Sequence, residues 1–193
     1  MASDPTLRDD AMRRFPVPDF DDLPTDLQER IAEETDRAGF TPNVFAALAY
    51  APDQSRAFFA FHDALVDGAL DREEVEMIVV AVSGVNHCYY CNVAHGALCR
   101  IYAKDPKLAD QLVANYRTAD VNDARLVMLD VAVKLTERPT EVDETDFERL
   151  REAGYSEREI WDIGAVTAFY NLSNRLALFA DMRPNDEFHA MGR

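Results

Sequence analysis

The chain has 193 residues, 48% of them apolar, and a formal net charge of −16. That length suits one domain, or two closely packed halves, with room for a core, while the acidity excludes nucleic acid and anionic membrane surfaces, which call for a cationic face. The longest clean apolar run, Met77-Ile78-Val79-Val80-Ala81-Val82, falls far short of the ~20 residues that cross a bilayer. The start, Met1-Ala2-Ser3-Asp4-Pro5, lacks the basic-then-apolar order of a secretory leader, so the expected location is the cytoplasm.

In chain order, residues 1–22, with Pro5, Pro16, Pro18 and many charges, read as an extended N-terminal arm. Such an arm is either loose or wrapped on a neighbouring subunit. Thr25 and Gln28 have capping-box spacing, and Leu27, Ile31 and Glu34 begin a helix that Gly39 can end. Thr41 stands before Pro42 as a cap before a first-turn proline, for a short helix through Ala49. Pro52 opens a helix with Phe58, Phe61 and Leu65 on one stripe and Gly68 at its stop. The aromatic run there reads as a subunit interface, and His62 as a packed or interface residue.

Asp71 and Glu74 repeat the capping-box spacing before a helix to about Ser83, which Gly84 is expected to interrupt. Asn86 is the expected cap of the next helix, to about Tyr102. Further helices follow over residues 105–116, 123–137, 143–153 and 156–180, the last with a Ser156/Glu159 capping box. Strand alternation is almost nowhere seen, so the expected fold is all-α. One compact domain spans residues 23–182, with a C-terminal tail over 183–193. The segment from Ser156 loosely echoes the one from Asp71, as a weak internal duplication would.

Three cysteines in a reducing compartment make no disulfide framework; a close pair there is catalytic, redox-sensing or metal-binding. The pair lies in Asn86-His87-Cys88-Tyr89-Tyr90-Cys91-Asn92-Val93-Ala94-His95-Gly96. On a helix, Cys88, Cys91 and His95 share one side. Near the amino end, free N–H groups favour a thiolate, and such thiols fall from ~8.5 to between ~3.5 and ~7.5. An imidazole that relays protons needs a carboxylate to fix its tautomer. Glu76, set among apolar residues of the preceding helix, is the candidate, because a carboxylate there needs a partner.

Two other readings of the same side chains stay open: a zinc site completed by Glu76, His87 or another subunit, and a packed pair of buried thiols. Cys99 reads as a small core residue, Asn171 and Asn174 as satisfied core amides, and His189 as a tail residue without signal.

The pattern Glu76-x11-Cys88-x2-Cys91-x3-His95 resembles the signature of the alkylhydroperoxidase AhpD-like proteins, in the carboxymuconolactone decarboxylase superfamily. Gly39-Phe40-Thr41-Pro42-Asn43-Val44-Phe45, Ala132-Val133-Lys134-Leu135-Thr136 and Asn174-Arg175-Leu176-Ala177 are similar to segments of its peroxidase-related branch. The resemblance implies an all-helical homo-oligomer, a trimer or hexamer, that reduces hydroperoxides by thiol chemistry and needs no cofactor or metal. Carried over, Cys91 is the peroxidatic thiolate, Cys88 the resolving thiol, and His95, oriented by Glu76, the proton relay. A dithiol reductant completes the cycle, a lipoyl-bearing protein in the founding branch. That branch has histidine where this chain has Tyr90. Rival expectations are a redox-sensing or disulfide-exchange protein and a decarboxylase-like lyase, the latter disfavoured by the paired cysteines.

Overall fold

Nine consecutive residues of one helix, from Val75 to Ser83, are buried. A helix covered on every side belongs at the centre of a helical protein. This helix, Arg72–Val85, is the fourth of ten α-helices in a computed structural model that describes residues 5–193. Residues 1–4, the start of the expected arm, lie outside the described residues. The others are α1 (Thr25–Ala38), α2 (Asn43–Leu48), α3 (Pro52–Val66), α5 (Tyr89–Ala103), α6 (Leu108–Asn115), α7 (Asp123–Glu137), α8 (Glu144–Glu152), α9 (Glu157–Ala180) and α10 (Glu187–Ala190), with Arg72–Val85 as α4. No strand occurs among the described residues; Met12 and Met182 form one isolated bridge. The fold is all-α, as expected, and no helix of the described residues is long and apolar enough to cross a membrane.

Helices α5, α6, α7 and α9 pack around α4. Their apolar faces close the main core around Met77, Ile78, Met128, Leu129, Ile163 and Val166. Gly84 does not interrupt α4. It remains helical, and its missing side chain admits α6: a Cβ there would stand 3.3 Å from the backbone of Val113.

Several local expectations are corrected. Thr25 lies inside α1, whose N-cap is Pro24. The Gln28 amide, expected to complete a capping box, instead donates to the carbonyls of Phe20, Asp21 and Leu23, holding the incoming chain. Thr41 sits one residue too early to cap α2; its hydroxyl pairs with that of Thr35 at 2.8 Å. On α3, Phe59 turns inward and stacks on Phe45 at 4.4 Å, whereas Phe61 is exposed. Most of that aromatic run is therefore used within its own chain.

Asn86 is the C-cap of α4, and the N-cap of α5 is Cys88. The intervening His87 has φ 54, the left-handed turn that reverses the chain. The Asn86 side chain turns away to α9, donating to Asn171 and Asn174 at 3.1 and 2.9 Å.

The two ends of the described chain meet over α5. Arg183 N–H donates to the Ala11 carbonyl at 2.9 Å. Asn185 accepts from Asn43 N–H at 2.8 Å and donates to the Thr41 carbonyl at 2.9 Å. Met12, Met182 and Phe188 bury themselves against Cys88, Cys91 and Ala94.

Candidate active site

The turn after α4 sends α5 back along it, so residues far apart in sequence come side by side. His95 Nδ1 lies 2.9 Å from Glu76 Oε2. Glu76 is fully buried, and the His95 side chain keeps 15% of its exposure. A hydrogen bond from Nδ1–H to a carboxylate fixes the tautomer and leaves Nε2 for proton exchange. The Tyr170 ring stands edge-on to the imidazole, with centroids 4.8 Å apart and planes at 82°. Burial lifts the Tyr170 phenol well above its ordinary range, so it serves there as a neutral wall.

Cys88 at the N-cap and Cys91, three residues on, are free thiols, and both are buried. They interact directly and unequally. The Cys91 thiol holds the Cys88 sulfur below the usual thiol range, against a desolvation penalty, with help from the backbone N–H groups of Cys91 and Tyr90. Cys91 is driven well above that range, first by its bond to Cys88, then by burial and by the Cys88 charge; Asn174 and Ser173 of α9 oppose the rise. Cys88, at the positive end of α5, is thus the more readily ionised thiol of the two, and Cys91 the less. The helix end expected to favour a thiolate carries Cys88 as its N-cap.

Arg72 was not singled out from the sequence. One turn before Glu76, its Nη2 lies 2.8 Å from Glu76 Oε1, and its guanidinium lies 5.2 Å from the Tyr102 ring centre. Glu76 Oε1 accepts no well-directed hydrogen bond, so the contact is one of charge. An arginine four residues before a buried glutamate is a readable spacing.

The remaining candidates separate cleanly. Cys99 is fully buried among core side chains, its thiol pushed up to about 12 chiefly by burial, with Glu76 and Glu73 adding to it. His87 is exposed at the turn. His62 pairs with Asp63 at 3.0 Å and burial lowers its pKa. Asn174 is a satisfied amide, donating to Ser83 Oγ at 3.0 Å, and also a neighbour of Cys91. Tyr90 Oη accepts from Val44 N–H at 3.1 Å, tying the start of α5 to α2. No cluster of three His, Cys, Asp or Glu side chains fit for a metal occurs among the described residues.

Residues 52–114 match the model of the carboxymuconolactone decarboxylase family. Among solved structures, the chain is similar to the alkylhydroperoxidase AhpD core, a peroxidase-related protein from Ralstonia eutropha JMP134. Identity is 55%, coverage 93% of this chain and 96% of that one, and the TM-score 0.91. It is also similar to a peroxidase-related protein from Silicibacter sp. TM1040, at 39% identity, 97% and 98% coverage and a TM-score of 0.89. The debrominase Bmp8 shares the fold at 20% identity, with coverage of 87% and 90% and a TM-score of 0.72. Among curated proteins there is no significant match.

Proposed function

The chain belongs to the AhpD-like branch of the carboxymuconolactone decarboxylase superfamily, and we propose that it is a thiol-dependent peroxidase acting through Cys88, Cys91, His95 and Glu76. The observation that carries this reading is the 2.9 Å bond between His95 Nδ1 and a fully buried Glu76, one helical turn from Cys91 on the same face of α5. A packed pair of thiols would give no reason to bury a carboxylate against that imidazole.

The chemistry follows from the proton relay that His95 and Glu76 place beside the pair. Cys91, protonated, transfers its proton to His95 Nε2 through a water molecule while its sulfur attacks the hydroperoxide. An S–O bond forms, the O–O bond breaks, and the departing alkoxide takes the proton from the imidazolium as the alcohol. The Cys88 thiolate then attacks the sulfenic sulfur of Cys91; an S–S bond forms, the S–O bond breaks, and hydroxide leaves as water once protonated. An external dithiol restores both thiols by exchange and is itself oxidised to a disulfide. A lipoyl-bearing protein is the reductant class this reading calls for, and a cytoplasmic homo-oligomer its expected form.

Glu76 orients the imidazole and offsets its charge, while Arg72 supplies the buried carboxylate with a counter-charge. Burial of both sulfurs favours small peroxides and a slender dithiol arm over bulky protein disulfides. The test is peroxide consumption by purified protein with dihydrolipoamide, beside Cys91→Ser and His95→Gln. Loss in both variants supports the reading; equal rates in all three overturn it.

A further inference from the structure

Asn92, Gly96 and Arg100 form a row four residues apart on α5, beside the row of Cys91, His95 and Cys99. Asn92 and Arg100, the two ends of the first row, line a cavity of about 290 Å³ between α5, α6 and the C-terminal segment. We infer that this cavity binds a short aliphatic carboxylate carrying a hydroxyl at its far end.

Arg100 is the anchor. It is only 5% exposed, and among the described residues no carboxylate lies within ion-pair distance of it. Its Nε and Nη2 donate to the carbonyls of Met191 and Phe188 at 2.9 and 3.0 Å. Those neutral acceptors hold the C-terminal segment but leave the charge uncompensated. The nearest acid on the cavity wall, Asp110, is held by both Nη atoms of Arg193 at 3.1 Å. In a chain of net charge −16, the cavity therefore carries one excess positive charge. Gly96 leaves room for it: a Cβ there would lie 3.4 Å from Arg100 Nη1.

A second polar group independently awaits a ligand. Asn92, whose Oδ1 is buried without a hydrogen-bond partner, lines the same cavity. It accepts, so the ligand must donate. Eight residues of helix separate Asn92 from Arg100, about 12 Å along the axis, shortened by the backward lean of the arginine side chain. Val93, Val113 and Phe188 give the wall between them an apolar character. A guanidinium at one end, a carbonyl oxygen at the other and hydrocarbon between describe a hydroxycarboxylate of a few carbons.

The site is independent of the thiol chemistry, and binding is its readout. The probe is 4-hydroxybutyrate, titrated calorimetrically into the full chain at fixed ionic strength, beside butyrate and the neutral 4-hydroxybutyramide. Saturable binding is expected, at least tenfold tighter than for the amide and several-fold tighter than for butyrate. Val113→Trp, at an exposed wall position, and Arg100→Gln should each weaken it tenfold or more. Should Arg100→Gln lose its helical signal, Val113→Trp alone decides. No saturable binding, equal affinity for acid and amide, or binding unchanged in Val113→Trp would overturn the proposal.

Discussion

Arg72 Nη2 and Glu76 Oε1 stand 2.8 Å apart on the side of the carboxylate away from His95. The glutamate is thus held between a permanent cation and an imidazole, with no exposure to water. Glu76→Gln removes the negative member and strands a largely buried guanidinium. Loss of one partner from a buried ion pair costs about 3–5 kcal/mol, so the variant should unfold at clearly lower urea. Its peroxide reduction should fall with that of His95→Gln. The double variant should be little worse than either single one, because the two act as a unit.

General acid–base groups contribute about 10²–10⁴ in rate. His95→Gln should therefore lose peroxide reduction by that order while keeping both thiols titratable. Single-turnover kinetics with stoichiometric peroxide isolates the step. A loss confined to reduction of the Cys88–Cys91 disulfide by the external dithiol would move His95 to the other half-reaction.

The unequal pair makes a pH prediction. Cys88 lies below the ordinary thiol value of 9.0 and Cys91 well above it. Titrations of interacting groups belong to the pair, so the first ionisation should come below 9.0 and the second well above. Alkylation by iodoacetamide, mapped by peptide, should modify Cys88 first. The order of attack on peroxide is tested separately. Cys88→Ser should accumulate a sulfenic acid at Cys91 that dimedone traps, and Cys91→Ser should accumulate none.

Tyr90 occupies the place of a histidine in the founding branch, yet its hydroxyl only accepts from Val44 N–H. Tyr90→Phe should keep peroxide reduction within about threefold. Orphaning a buried N–H should cost about 1–3 kcal/mol of stability. A large loss of rate with unchanged stability would give the phenol a part in proton transfer.

Acid stability should depend on Asp146, which is buried and accepts from Lys134 Nζ at 2.6 Å and Asp143 N–H at 3.0 Å. Burial raises its pKa, but Lys134 and the backbone bond outweigh it and leave it below 3.8. A depressed folded value gives stability that is present above the unfolded value near 3.8 and lost as pH falls through the folded one. Asp146→Asn should therefore be less stable than the parent at neutral pH, by about 1–3 kcal/mol. The gap should close below pH 3.8. Urea melts at several pH values measure it.

Much of this was legible from local chemistry. Helix α7 runs over the expected residues 123–137, and the Ser156/Glu159 box caps α9 as read. Both are settled by short-range signals. The failures have tertiary causes: Gln28 spends its amide on the chain before α1, and Asn86 spends its own on α9. Helix α10 has four residues and no periodicity to read; it exists because Phe188 is buried and Arg100 holds its carbonyl. At the site, helical spacing placed Cys91 and His95 on one face, and the turn after α4 brought Glu76 to His95. Nothing local shows which thiol is the more acidic, because Asn174 and Ser173 approach from α9, some eighty residues away.

The most direct measurement is intact mass with cysteine mapping after one equivalent of hydroperoxide. The account predicts loss of two hydrogens, a Cys88–Cys91 bond reversed by dihydrolipoamide, and an untouched Cys99. Unchanged mass, or oxygen retained on either sulfur with no bond between the two, would contradict it.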